Sequence, residues 1–186
     1  MRPSGQTVQS THDVQVAPSH SAFGLGLVER AFGWCPPYVG ARAMAAALRL
    51  AGVKIGKSSS FWGLPTFSGS GNIGSRLSIG DYCGFNLGCH FELDDSIVIE
   101  DHVSVGHQVM FLTKKREPLG KSPSELATTA PVRVCQGAWL GARCVVMPGV
   151  SIGAGSVIGA SVVVAEDVPP NVLLSGGRKI SIAKWR

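Results

Sequence analysis

No CxxC pair occurs among the five cysteines, Cys35, Cys83, Cys89, Cys135 and Cys144. Odd in number and without metal-binding spacing, they are expected to be free thiols in a reducing compartment. The opening stretch, MRPSGQTVQSTHDVQ, contains no apolar h-region, which predicts no signal peptide and a cytoplasmic protein. The most apolar early segment, Tyr38 to Val53, is broken by Arg42 and Arg49 and is too short to span a bilayer. Charge of one sign is not massed either. Seventeen Lys and Arg against twelve Asp and Glu leave a formal net charge of +5, dispersed along the chain. With no aromatic-plus-basic motif, a nucleic-acid module is not expected. The modest basic excess suits an anionic small ligand such as a phosphate-bearing cofactor.

What is abundant is glycine. Twenty-four glycines in 186 residues, beside an apolar fraction of 45%, exclude global disorder and point to a fold of many turns. Residues 1–21 read as a polar, mobile tail. Residues 22–54 read as a helical cap, with one helix over Phe23–Phe32 and a clearer one in VGARAMAAALRLAGV, where Gly52 fits a helix stop. From Ile55 the period changes to six. Ile55, Phe61, Phe67, Ile73, Ile79, Phe85 and Phe91 form one register; Ile99, Val105 and Phe111 a second; Val134, Leu140, Val146, Ile152, Ile158 and Val164 a third.

Neither a helix nor a flat strand repeats every six residues. A coil of three short strands does, because each strand sends one large side chain inward. The expected fold class is therefore all-β, a parallel β-helix over 55–170 with short N-terminal helices, a protruding polar loop at 113–130 and a C-terminal segment at 171–186. If i is the inward residue, i+1 is often glycine (Gly56, Gly74, Gly80, Gly106, Gly141, Gly153, Gly159). That pattern suggests corners that need permissive dihedrals. Position i−2 is often small or slim, as with Cys83, Cys89, Ala138, Cys144 and Ser156, so three cysteines should be small core residues.

The stretch GAWLGARCVVMPGVSIGAGSVIGASVVVAEDVPPN, with Trp139, Pro148-Gly149 and its Asp167-Val-Pro-Pro-Asn punctuation, resembles the hexapeptide-repeat O-acetyltransferases. The maltose, galactoside and capsular-sugar branch is the nearest. The likeness runs over roughly residues 40 to 182. It implies a left-handed coil and a homotrimer with sites between subunits. It also implies acetyl-CoA as co-substrate along the outside of the coil, no metal, and a small-molecule acceptor such as a sugar or amino sugar. On the cofactor side it points to Trp139, Gly141, Ala142, Gly159, Ala160, Arg178 and Lys179. The family's active-site asparagine matches Asn86 in GFNLG, with a corner residue as the alternative. Its acceptor-binding aspartate matches Asp94 in ELDD, with a solvated turn carboxylate as the alternative.

Departures from the pattern concern the base and the donor end. The loop histidine of the family falls on Arg116 in TKKR. Arginine stays protonated and cannot be a general base, so Arg116 would bind an anion or steady an oxyanion, or be a solvated charge. Ala165 and Glu166 stand where Thr-Lys is common, and the ending reads Ser175-Gly-Gly-Arg-Lys. Among the histidines, His12 and His20 lie in the tail and His90 should face outward. His102 lies near a corner. His107, in VGHQVMF, leads into the same loop as Arg116 and is the best substitute base, or else a histidine bonded at a turn. The same string resembles γ-class carbonic anhydrases, but the second histidine of that pattern is Leu112 here. One ligand in register does not hold zinc.

Two functional readings result. The first is an acyltransferase moving an acetyl or related group from coenzyme A to a hydroxyl or amine. The alternative is a degenerate member acting as a binding or scaffold protein, or using another donor. The helix at 39–53 is expected to cap the open first coil rather than to touch membrane.

Overall fold

The structure, a computed structural model, describes residues 20–34, 36, 40–116 and 127–182. The expected tail, apart from its last residues, the middle of the loop and residues 183–186 lie outside the described residues, as does Cys35.

Two helices precede the coil, α1 (His20–Phe32) and α2 (Ala41–Leu50). Six turns of chain then stack so that three parallel sheets form the faces of a prism. Face one stacks Lys54–Ile55, Leu77–Ile79, Ile97–Ile99, Val132–Val134 and Ser151–Ile152, and a bridge from Ile152 to Val168 starts the sixth turn. Face two stacks Ser60–Phe61, Gly84–Phe85, Ser104–Val105, Trp139–Leu140, Val157–Ile158 and Val172–Ser175. Arg178–Ser181 then folds back antiparallel on the last of these, so the C-terminal segment continues and closes face two. Face three stacks Thr66–Ser68, His90–Glu92, Met110–Phe111, Val145–Val146 and Val163–Val164. Parallel ladders need a crossover between partners, and here the other two faces are that crossover.

The six-residue period is the inward position of this prism, except at Ile73, which is buried in a 3-10 turn (Ile73–Arg76) between face three of the first coil and face one of the second. Of its sixteen members only Ile55 and Phe67 are not buried, and both belong to the first coil. The early coils are filled by phenylalanine. Phe61 stacks on Phe85 with ring centroids 4.6 Å apart, Phe91 on Phe111 at 5.1 Å, and Phe85 meets Phe91 edge-on at 5.9 Å. Such offset and edge contacts add to plain area burial. Later coils change to Val, Leu and Ile. The small i−2 residues Cys83, Cys89, Ala138, Cys144 and Ser156 are all buried, as expected.

The role assigned to the i+1 glycines needs correction. None of those seven lies in the left-handed region. Left-handed backbone is found two residues later, at i+3, in Ser58, Tyr82, Gly88, His102, Gln108, Gly137, Arg143, Gly149, Gly155, Ser161 and Asn171. Five of the i+1 glycines, Gly56, Gly80, Gly106, Gly141 and Gly153, are required by space instead, with the next coil's backbone under 3.0 Å from an added Cβ. A Cβ on Gly106 would lie 2.7 Å from the Ala142 nitrogen, and one on Gly141 the same distance from the Ala160 nitrogen. At this corner the next coil's backbone occupies the volume of a side chain.

Corner amides that the ladders leave over are taken by carboxylates. Asp81 accepts from the Lys57 N–H at 2.8 Å, Asp101 from Asp81 at 2.7 Å, Glu100 from Gln136 at 2.9 Å and Asp167 from Ser151 at 2.8 Å. Buried hydroxyls are equally committed. Ser59 donates to the Gly80 carbonyl and accepts from the Cys83 N–H. Among the described residues no buried side-chain nitrogen or oxygen lacks a partner, as a close-packed interior demands.

Helix α2 closes the open end of the prism. Met44, Ala45 and Leu48 are buried and its contacts fall on the first coil. Gly52, at φ +97°, turns the chain from helix into coil. Among the described residues no helix is long and apolar enough to cross a membrane.

Candidate active site

The edge where face two turns into face three gathers most of the residues singled out from sequence. Because the coils stack in register, the positions after Phe61, Phe85, Val105, Leu140 and Ile158 form columns. One column runs Trp62, Asn86, Gly106, Gly141, Gly159. Beside it runs Gly63, Leu87, His107, Ala142, Ala160. Asn86 and His107 therefore share an edge with four of the small residues expected on the cofactor side. Above His107 that edge carries Gly141, Ala142, Gly159 and Ala160 before Ser175 at the last coil, so over two coils it is a shallow trough with no side chain longer than a methyl group.

His107 is exposed on this edge, and its carbonyl accepts the Arg143 N–H at 2.7 Å from the next coil. Asn86 is half-buried. Its Nδ2 donates to the Val105 carbonyl at 3.3 Å, which orients the amide and leaves its second N–H for another acceptor. Arg143 reaches back to Gln108, whose Oε1 accepts from Nε at 2.9 Å and fixes both chains below the trough. Trp139, 52% exposed, stands on the outside of face two, two residues before the edge.

A second group lies at the far edge of face three. The Asp94 carboxylate accepts from Ser70 Oγ at 2.9 Å and pairs with Lys114 Nζ at 3.4 Å. Its side chain is only 10% exposed. A solvated turn carboxylate is thereby replaced by an ordered, partnered one. Two residues that the six-residue pattern does not mark hold this corner. Glu92 Oε2 accepts the amide protons of Thr113 and Lys114. Arg76 donates to the carbonyls of Ser70, Leu93 and Asp94. Neither falls on the inward register, so the period gives no sign of them.

From this corner the expected polar loop leaves as a hairpin. Lys114–Arg116 pairs antiparallel with Ala127–Thr129, Arg116 opposite Ala127. The Arg116 backbone thus sits in a strand; its side chain lies outside the described residues. His90 occupies the face between the two edges. Its ring faces outward, bonded to Thr66 Oγ1 at 2.8 Å and Ser68 Oγ at 3.1 Å. His102 stacks flat on Tyr82 at 5.1 Å on a different corner. Among the described residues no three of His, Cys, Asp and Glu converge as a metal site.

At the last coil, Lys179 Nζ lies 3.4 Å from Glu166 and donates to the Asp167 carbonyl at 2.9 Å. An exposed ion pair thus joins Glu166 to the strand that folds back. Arg178 beside it is exposed. The buried thiols take no part in the edge chemistry. Burial pushes Cys83 and Cys144 up from their ordinary value and Cys89 up to about 11, so they stay protonated and poorly nucleophilic.

Residues 131–166 match the bacterial transferase hexapeptide family (six repeats). Over 114 residues the chain is 32% identical to the galactoside O-acetyltransferase of Escherichia coli, covering 56% of this chain and 52% of that protein. It spans about half the length of the curated relatives it matches. Among solved structures, a galactoside acetyltransferase in complex with coenzyme A overlays with a TM-score of 0.77 at 22% identity, covering 91% of this chain and 84% of that one. A hexapeptide-repeat acetyltransferase of Vibrio cholerae complexed with acetyl coenzyme A overlays at 0.73 and 23% identity, covering 86% and 84%. Both overlays concern the fold. Residues 131–166 thus carry the hexapeptide repeat, and the chain has the left-handed parallel β-helix fold of these structures.

Proposed function

We propose that the chain is a coenzyme A-dependent acyltransferase, moving an acetyl or related acyl group to a hydroxyl or amine of a sugar or other small acceptor. The observation that carries this reading is the shared edge: Asn86 and His107 stand at the foot of the Gly141–Ala142–Gly159–Ala160 trough. A long, slender donor fits a trough lined by glycine and alanine, with Trp139 offering an apolar wall and Arg178 a charge for phosphate. When bound, acetyl-CoA supplies an activated thioester carbonyl.

The chain's own residues supply the rest. His107 takes the acceptor proton as its oxygen or nitrogen attacks, and returns it to the departing thiolate sulfur. The second Asn86 N–H points a dipole at the oxygen on which negative charge develops. Asp94, held by Ser70 and Lys114, binds acceptor hydroxyls, and Arg116, permanently charged, draws in an anionic group.

One chain does not bring these groups together. Asn86 and His107 lie at one edge of face three, Asp94 and the hairpin at the other. A homotrimer, in which the edge of one copy faces the opposite edge of the next, completes the site. The location we assign is cytoplasmic, in keeping with the free thiols of Cys83, Cys89, Cys135 and Cys144.

The test follows thiol release from acetyl-CoA over a panel of sugars and amino sugars, with calorimetry for coenzyme A binding. Neither release nor binding with any acceptor would sink the proposal. The exposed Glu166 favours a second reading, a binding protein that has given up acetyl transfer. It predicts activity only after Arg116→His.

A further inference from the structure

We propose that the helical cap is a membrane-interface surface, resting on anionic lipid with a headgroup phosphate between Arg42 and Arg49. A surface helix ordinarily turns polar residues to solvent. Here the exposed residues of α2 are Arg42, Ala43, Ala46, Arg49 and Leu50, and those described on α1 are Leu27, Arg30 and Ala31. Every one is apolar or an arginine. Leu50 is 91% exposed, and Trp34, just beyond α1, 95%. Since Met44, Ala45 and Leu48 already bury the opposite side of α2 on the first coil, capping does not account for this outer face.

Two neighbouring cavities divide the work. Between the helices an apolar groove of about 320 Å³ is lined by Leu27, Val28, Phe32, Ala47 and Leu50. On the other side of α2 a polar cavity of about 210 Å³ is lined by Arg42, Arg49, Ser58 and Ser59. Arg42 and Arg49, seven residues apart, share one edge of the helix. Arg49 is anchored through Nε to the Ile55 carbonyl at 2.9 Å and through a terminal nitrogen to the Gly56 carbonyl. Arg42 has no ion-pair partner among the described residues. Ser59 is committed to Gly80 and Cys83, whereas Ser58 is exposed. One fixed guanidinium, and one with no ion pair among the described residues, beside a hydroxyl form a phosphate cradle. An apolar strip bordered by arginines is how a helix lies in the plane of an anionic bilayer surface. This surface is at the opposite end of the coil stack from Lys179.

Co-sedimentation of the full chain with vesicles tests it. The protein is expected to pellet with vesicles containing phosphatidylglycerol and to stay in the supernatant with pure phosphatidylcholine. Arg42→Gln should weaken partitioning about fivefold, and Leu27→Gln with Leu50→Gln at least about tenfold. Both variants should keep the wild-type circular dichroism and melting, because the replaced side chains are exposed. Pelleting that ignores lipid charge would overturn the proposal, as would none with either lipid. Binding of inorganic phosphate that depends on Arg42, without vesicle binding, would make this a site for soluble phosphate. A Leu27/Leu50 double variant that alters the oligomeric state but not vesicle binding would make it an interface between copies. Either result overturns the proposal.

Discussion

Replacing Gly106 by alanine separates two reasons for a glycine at a coil corner. The new Cβ would meet Ala142 N at 2.7 Å, the Gly141 carbonyl carbon at 2.8 Å and Leu140 O at 2.9 Å. Carbon contacts are optimal at about 3.5–4.0 Å, so backbone must move by about 0.7 Å. That backbone is ladder-bonded, Gly106 N–H donating to Leu140 O at 2.8 Å, and no side chain can swing aside. Overpacking costs about 1–3 kcal/mol, and the upper end applies, about 3 kcal/mol. Gly137 offers the contrast. Its φ is +70° and the nearest foreign atom to an added Cβ is 4.0 Å away, so alanine there costs only the left-handed penalty of about 1 kcal/mol. The stiffening of the unfolded chain is common to both and cancels in the comparison. At about 2–4 °C per kcal/mol for a chain of this size, Gly106→Ala should lower the melting temperature by about 6–12 °C. Gly137→Ala should lower it by about 2–4 °C. The protein concentration must be held fixed, because any self-association would shift the midpoint. If Gly137→Ala proves as costly as Gly106→Ala, dihedral freedom and not space governs the corners, and the reasoning fails.

Phe91→Ala removes a ring that is fully buried and touches Phe67, Phe85 and Phe111; urea unfolding should show a loss of about 3–5 kcal/mol. Cys89, its pKa raised by burial to about 11 against 9.0 in the unfolded chain, makes stability fall as pH rises. Between those values the unfolded state has lost a proton that the folded state retains, so the slope is negative, up to about 1.4 kcal/mol per pH unit. Cys89→Ala, which copies the Ala138 found at the equivalent i−2 position on face two, should flatten the part of that slope between pH 9 and 11 that Cys89 supplies. His107→Ala is expected to lower kcat about 10²–10⁴-fold while calorimetric coenzyme A affinity changes little; an unchanged kcat would transfer the role of base to another group.

Much of the prism was legible because one requirement repeats. Each short strand sends one large residue inward, and fifteen of the sixteen apolar positions at the six-residue interval lie in such strands, Ile73 alone falling in a 3-10 turn. The i−2 slot is legible only in part, since it holds Cys, Ala or Ser in some coils and Val103, Val109, Val132 or Ile97 in others. The left-handed positions are not. Tyr82, His102, Gln108 and Arg143 accept a conformation that costs a non-glycine residue about 1–2 kcal/mol, because each is clamped by a ladder on either side. The penalty leaves no preferred residue type behind. The loop carried a related surprise. It begins and ends as a paired hairpin whose strands, KKR and ATT, lack the alternation that marks a half-buried strand, since they project from the core rather than cover it.

For the site, sequence named residues but not their grouping. Asn86 and Asp94 are eight positions apart and look like one cluster, yet a whole strand of face three, His90–Glu92, separates the edges they occupy. His107 is twenty-one positions beyond Asn86, yet one coil of stacking sets it diagonal to that residue. Chain distance misleads in both directions, because neighbours in a β-helix are about one coil apart. The same logic explains why Glu92 and Arg76 leave no mark in the sequence. Their work is to fix the carbonyls and amides of a corner from which a hairpin departs, and only the place of departure shows that those groups lack ladder partners. A Glu92→Gln variant isolates this. The amides of Thr113 and Lys114 would keep an acceptor of lower charge, so the fold should persist with a loss of about 1 kcal/mol. If hairpin position matters to catalysis, the KM for the acceptor should rise while that for acetyl-CoA stays constant. Equal changes in both would mean that the hairpin does not present the acceptor, and that Asp94 and Lys114 brace the coil alone.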